Sequence, residues 1–214
     1  AIEKLADEAG MALPKATPQD QEAYNRRERL YAACEAAAAF FEQQLRAEGG
    51  GQARAYLEGR GLLPAAWGQY RLGYAPDGWQ TLLDELKSRR FSMDEMQGAG
   101  LASVKEGRNP ISFFRNRLIF PIEDVRGRVI AFGARALGAD DKPKYLNTGD
   151  TELFDKSRSL YRYKAAREAF GDSDAGGLIV CEGYMDVIAL AQVGIGHAVA
   201  PLGTALTVPQ LELL

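Results

Sequence analysis

The sequence predicts an α+β protein, with a helical and mixed α/β N-terminal subdomain followed by the start of a separate α/β fold. Three observations predict it. Residues 18–47 carry apolar side chains at helical spacing, two short apolar runs at 117–122 and 128–135 flank a glycine turn, and a four-residue apolar run at 178–181 leads directly into an acid, a glycine and another helical pattern.

The elements follow in chain order. Ala1 to Gly10 has helical spacing, and Pro14 and Pro18 break it, so residues 1–17 read as a lead-in segment. Thr17 is a good N-cap with Pro18 at N1, and Tyr24, Leu30, Tyr31, Cys34, Ala38, Phe41 and Leu45 mark the apolar stripe of a long helix that Glu48-Gly49-Gly50-Gly51 ends. Short helices are predicted over 52–58, from Leu62-Leu63-Pro64 onward, over 79–87 and over 93–97, with a strand over 70–75. After a polar turn at 105–110, residues 117–122 and 128–135 read as a β-hairpin around Asp124-Val125-Arg126-Gly127. Some of Arg115, Arg117, Arg126, Arg128 and Arg135 are expected on the wet face of a half-exposed sheet. The chain divides into a lead-in at 1–17, a basic subdomain at 18–170 and a second unit at 171–214.

Composition narrows the function classes. With 46% hydrophobic and 26% charged residues over 214 positions, a soluble globular protein is expected. No apolar run approaches about 18 residues and Ala1-Ile2-Glu3-Lys4 is no signal peptide, so a cytoplasmic protein with no membrane partner is expected. Cys34 and Cys181 lie outside any CxxC pair and read as reduced core residues, and His197 reads as a packing residue. The net charge of −3 argues against nucleic-acid binding, yet residues 105–170 hold 14 Lys and Arg against 9 Asp and Glu. A local cationic face binds a phosphate backbone whatever the whole-chain charge, because counterion release depends on the contact surface.

The chemistry concentrates at Leu178-Ile179-Val180-Cys181-Glu182-Gly183-Tyr184-Met185-Asp186. The apolar run reads as a strand buried on both faces, so Glu182 falls at its carboxyl end, where α/β sheets collect ligands. Asp186, in the first turn of the next helix, points back to the same crevice, and the spacing brings two carboxylates into one site fit for a divalent cation. The plainer alternative is a solvated strand-end acid and an Asp that favours the helix N-terminus. Lys144, Tyr145 and Asn147 set a cation, an aromatic and an amide side by side, suited to phosphate contact, stacking and hydrogen bonding, or simply to a surface loop.

Read together, YLEGRGL (56–62), LGYAPDGW (72–79), RNRLIFPI (115–122), GRVIAFGAR (127–135), PKYLNT (143–148) and EGYMD (182–186) resemble bacterial replicative DNA primases of the DnaG type over nearly the whole chain. EGYMD resembles the opening of the TOPRIM domain of that family. The resemblance implies that Glu182 binds metal and acts in catalysis, with Asp186 completing part of the carboxylate cage. It implies that Arg135, Lys144, Tyr145 and Asn147 form the nucleotide- or template-binding face, with Arg117 a lesser member and Arg60 on the basic surface nearby. By residue type alone, Arg60 is equally a helix C-terminal cation. Ala134 departs from the relatives that have a second glycine there.

The implied reaction is nucleotidyl transfer assisted by Mg²⁺ (or Mn²⁺), joining ribonucleoside triphosphates into short RNA primers on a single-stranded DNA template. Zinc is expected only in a separate upstream module, and the replicative helicase and single-strand-binding protein only through other regions, in the cytoplasm at replication forks. No later strand with a DxD-type acidic pair follows Glu182, and Asp172-Ser173-Asp174 precedes it, so the chain is expected to be an inactive piece of a longer enzyme. The alternatives are a non-catalytic single-stranded-DNA-binding module and another TOPRIM enzyme, a topoisomerase or nuclease.

Overall fold

The computed structural model describes residues 10, 17–138, 141–171, 176–203 and 205–214, so the helical pattern over 1–10, but for Gly10, and the Asp172-Ser173-Asp174 loop lie outside the described residues. Helix α1 (Pro18–Arg46) starts where the sequence predicts: the Thr17 hydroxyl accepts from the Asp20 backbone N–H at 3.1 Å and the Asp20 carboxylate accepts from the Thr17 N–H at 2.9 Å. This reciprocal cap satisfies two of the otherwise unpaired donors of the first turn. Helices α2 (Gly51–Gly59), α3 (Pro64–Gln69), α4 (Thr81–Ser88) and α5 (Met93–Gly98) then alternate with three short strands, β1 (Gly73–Ala75), β2 (Ala102–Ser103) and β3 (Ile111–Ser112).

Strands β4 (Arg117–Glu123) and β5 (Val129–Ala136) form the predicted hairpin, with Gly127 at φ +81° in the turn and the Asp124 carboxylate accepting from the backbone N–H groups of Arg126 and Arg128. With β6 (Tyr145–Asn147) they make an antiparallel sheet in the order β1-β4-β5-β6. This sheet is not half-exposed as expected. Leu30, Ala37, Phe41, Leu83 and Phe114 from α1, α4 and the segment before β4 cover Ile119, Phe132 and Ala134 on one face. Leu57, Trp67, Phe154, Tyr161 and Tyr184 cover Leu118, Phe120 and Ile122 on the other. Alternation along β4 sends consecutive residues to opposite cores. The arginines therefore leave the sheet at its ends and edges.

The second sheet, in the order β7-β9-β8, consists of β7 (Leu160–Tyr161), β8 (Ile179–Val180) and β9 (Ala198–Pro201). Between β7 and β8 runs α6 (Tyr163–Gly171), and α7 (Tyr184–Gln192) joins β8 to the parallel β9. The chain closes with α8 (Val208–Leu213). Because β7 pairs with β9, this sheet draws on residues before 171. The two units also share one core, in which the Tyr184 ring stacks on Phe120 at 4.9 Å and meets Tyr161 edge-on at 4.8 Å.

β8 corrects the expectation of a strand buried on both faces. It hydrogen-bonds to β9 alone, and Ile179 and Val180 remain 37% and 43% exposed, because among the described residues nothing pairs with its outer edge. Cys34 is fully buried in the core, and burial pushes its thiol up to about 12. Cys181 is half-buried; both cysteines are free. His197 is half-buried, and its carbonyl accepts from the Ile179 N–H at 2.9 Å. Among the described residues no helix is long and apolar enough to cross a membrane.

Candidate active site and nucleic-acid interface

The β-ladder extends one residue past β8, where the Cys181 N–H donates to Val199 O at 2.8 Å, and Glu182 follows at the carboxyl end. Gly183 is the N-cap of α7, and Asp186 Oδ2 accepts its backbone N–H at 3.1 Å. Asp186 thus caps the helix, as the plainer alternative has it, and still presents its other carboxylate oxygen. Both acids are exposed, and both line a single cavity of about 420 Å³ together with Tyr145, Asn147, Lys156 and Tyr184. The two carboxylates thus share one crevice. Among the described residues no set of three His, Cys, Asp or Glu side chains converges on one point. Two hard carboxylates nonetheless fit a Mg²⁺ ion, which keeps most of its waters and takes only one or two protein carboxylates.

The back wall of the cavity is built by Tyr184. Its hydroxyl donates to Asn147 Oδ1 at 2.7 Å, and Asn147 Nδ2 donates to Leu202 O at 2.5 Å, beyond the end of β9. Asn147 sits on β6 opposite Gly133 of β5, and a Cβ at Gly133 would run into the Tyr184 ring. The glycine is what admits the ring. Burial pushes the Tyr184 phenol up, so it stays a neutral donor. Asn147, expected to meet nucleotide, has its amide engaged in joining β6 to the acid-bearing unit.

Lys156 is the cation that sequence reasoning missed. A 3₁₀ turn (Lys156–Arg158) carries it, with Asp150 Oδ1 accepting the Lys156 N–H at 2.9 Å. The buried Gln210 on α8 donates to Lys156 O at 3.1 Å and to Ser159 O at 2.8 Å. The only local signal for this placement is the Asp155 cap beside a lone lysine. The anchor that brings it to the acids lies 54 residues away.

The remaining predicted residues lie around this crevice rather than in it. Lys144 is exposed, and its carbonyl accepts from the Ala136 N–H at 2.8 Å at the edge of β5. Arg117 is buried; its Nη1 donates to Pro143 O at 2.8 Å, and burial lowers its pKa. It therefore faces the loop that presents Lys144. Arg135 is half-buried, lies 3.9 Å over the Tyr56 ring and donates from Nη1 to Ala136 O at 2.9 Å. Arg60 closes α2 and lies 5.5 Å from the same ring.

Ion pairing separates two classes of cation. Arg26, Arg29, Arg71, Arg115 and Arg128 are all neutralised, by Asp94 and Glu152, Glu95, Glu35 and Glu42, Asp77, and Asp124 and Glu28 respectively. Arg60, Arg117, Arg135, Lys144 and Lys156 make no ion pair among the described residues. Apart from the buried Arg117, their charge is open to a polyanion, as paired charge is not.

Residues 40–167 match the model of the DNA primase catalytic core, N-terminal domain, and residues 176–214 that of the Toprim domain. The DNA primase of Neisseria meningitidis is 44% identical over 220 aligned positions, covering 100% of this chain and 36% of that protein. The chain thus spans about a third of the length of the curated relatives it matches. The structure of a DnaG primase catalytic domain bound to ssDNA superimposes with a TM-score of 0.80 at 39% identity, covering 89% of this chain and 61% of that one. The RNA polymerase domain of Mycobacterium tuberculosis primase DnaG gives 0.80 at 38% identity, covering 87% and 60%.

Proposed function

The chain belongs to the family of bacterial DNA primase catalytic cores, and from that premise we propose that it carries part of the site at which RNA primers are made on single-stranded DNA. The observation that carries the reading is the shared crevice: Glu182 and Asp186 open onto the same cavity as Lys156 and the exposed ring of Tyr145, and Lys156 makes no ion pair among the described residues. In this reading residues 18–170 supply the basic face and residues 171–214 the acids. Single-stranded DNA, the partner named for one relative, is the template, and ribonucleoside triphosphates are the substrates. The helicase and single-strand-binding protein would act through other parts of the longer protein, in the cytoplasm.

Glu182 and Asp186 would hold Mg²⁺ or Mn²⁺, which when bound stabilises charge developing on the transferred phosphoryl group. Asp186 keeps one oxygen on the Gly183 N–H and so holds a single orientation. Lys156 offsets triphosphate charge from the opposite wall, and Tyr145 offers its ring for base or sugar stacking. Arg117 holds the loop from which Lys144 meets backbone phosphate. Template-dependent RNA synthesis by the protein that carries this chain, compared with its Glu182→Gln variant, tests the reading.

The alternative is a narrower reading, a module that binds single strands without joining nucleotides. Titration with nucleotide and Mg²⁺ separates the two readings, since a purely binding module shows no Mg²⁺-dependent nucleotide affinity.

A further inference from the structure

Several arginines here stack on aromatic rings, but the set on Tyr56 differs from the rest. Arg29, Arg115 and Arg128 lie over Phe91, Trp79 and Tyr31, and each is also closed by a carboxylate, while Arg162 over Tyr70 and Arg167 over Tyr163 stand one to a ring. Tyr56 holds two guanidiniums from different elements, Arg60 from the end of α2 and Arg135 from β5, and neither makes an ion pair among the described residues. Arg135 Nε and the Tyr56 hydroxyl are both buried without a hydrogen-bond partner among the described residues. Stacking, with a single bond from Arg135 to Ala136 O, is what holds this group together.

A guanidinium stacked face-on keeps its in-plane N–H donors directed outward and loses rotamer freedom before any ligand arrives. Arg135, at 3.9 Å, is held this way with its Nε buried and its Nη groups left to donate. Arg60 approaches the same ring at 5.5 Å, which brings two planar donors to one ring, a pairing that suits the oxygens of a phosphodiester. We propose that Tyr56 is a positioning residue for single-stranded nucleic acid, holding Arg60 and Arg135 side by side as a seat for one backbone phosphate. This rests on the nucleic-acid reading of the basic face and adds to it the residue that orients two of its cations.

The test is binding of fluorescently labelled oligo(dT) to the chain and to its Tyr56→Leu and Tyr56→Trp variants across a range of salt. Tyr56→Leu removes the ring and should flatten the log–log salt slope by roughly 0.7, the loss of one single-strand phosphate contact. Tyr56→Trp keeps a ring and should keep the slope. Arg60→Ala should flatten the slope in the unmodified chain and add nothing in the Tyr56→Leu background. A folded Tyr56→Leu with the original slope overturns the proposal. Should that variant not fold, the side-chain Nε–H signals of Arg60 and Arg135 decide: both shift when oligo(dT) is added to the unmodified chain, or the proposal fails. An unmodified chain with no salt-dependent binding would sink the nucleic-acid reading itself, whereas an unchanged slope in Tyr56→Leu sinks only the role of Tyr56.

Discussion

The Tyr184 hydroxyl donates a 2.7 Å hydrogen bond to Asn147 Oδ1, across the seam between the antiparallel sheet and the unit that bears the acids. The same amide donates onward to Leu202 O, so a single side chain ties β6 to both ends of the crevice. Tyr184 lies two residues after Glu182, and both line the same cavity.

Asn147→Ala would orphan the buried Tyr184 hydroxyl and the Leu202 carbonyl, at a cost of about 1–3 kcal/mol. Urea unfolding measures it. Tyr184→Phe, which leaves only Asn147 Oδ1 without its donor and keeps the bond to Leu202 O, should cost less. Equal losses in the two variants would mean that the hydroxyl is not what holds the seam.

Gly133→Ala places a methyl group against the Tyr184 ring, which is packed on Phe120 and Tyr161. Overpacking of this kind costs about 1–3 kcal/mol. Because the ring must shift, primer synthesis should fall further than stability does, and a variant with full activity and stability would contradict the packing described here.

Lys156→Ala should weaken Mg²⁺-nucleotide binding about tenfold, the scale of one charge-assisted hydrogen bond, with little change in stability because Lys156 makes no ion pair among the described residues. Nucleotide titration reads it. Lys144→Ala should instead flatten the salt slope for oligo(dT) by roughly 0.7. An unchanged slope would remove Lys144 from the interface.

Acid stability has a local contributor in Glu95, whose carboxyl is held down at about 2 by the hydrogen bond from Arg29. A depressed carboxyl stabilises the fold above its unfolded pKa, near 4.5 here, and that contribution is lost as the pH falls through the folded value. Part of the stability should disappear between about pH 4.5 and about pH 2, and Glu95→Gln should flatten that part of the curve. Parallel curves for the two proteins would show that the Arg29 pair contributes nothing.

Features set by neighbouring residues were legible in the sequence. Thr17 and Pro18 start α1, Gly127 turns the hairpin, and the spacing of Glu182 and Asp186 brings them to one cavity. What escaped depends on distant partners. The burial of β4 and β5 on both faces needs α1 and the second unit together, and the exposure of β8 follows from its having, among the described residues, a neighbour on one side only. Arg115 and Arg128 look like Arg135 in sequence, and only the fold shows Asp77 and Asp124 neutralising the first two. Lys156 was hidden for the same reason, since Gln210 is what anchors its turn.

The most direct test of the central claim is template-dependent RNA synthesis with Mg²⁺ and ribonucleotides by the protein that carries this chain and by its Glu182→Gln variant, with folding followed by circular dichroism. Glu182 is exposed and its side chain takes no part in the core, so the variant should fold normally and yield no primers. Near-normal primer yield from the folded variant would contradict the account.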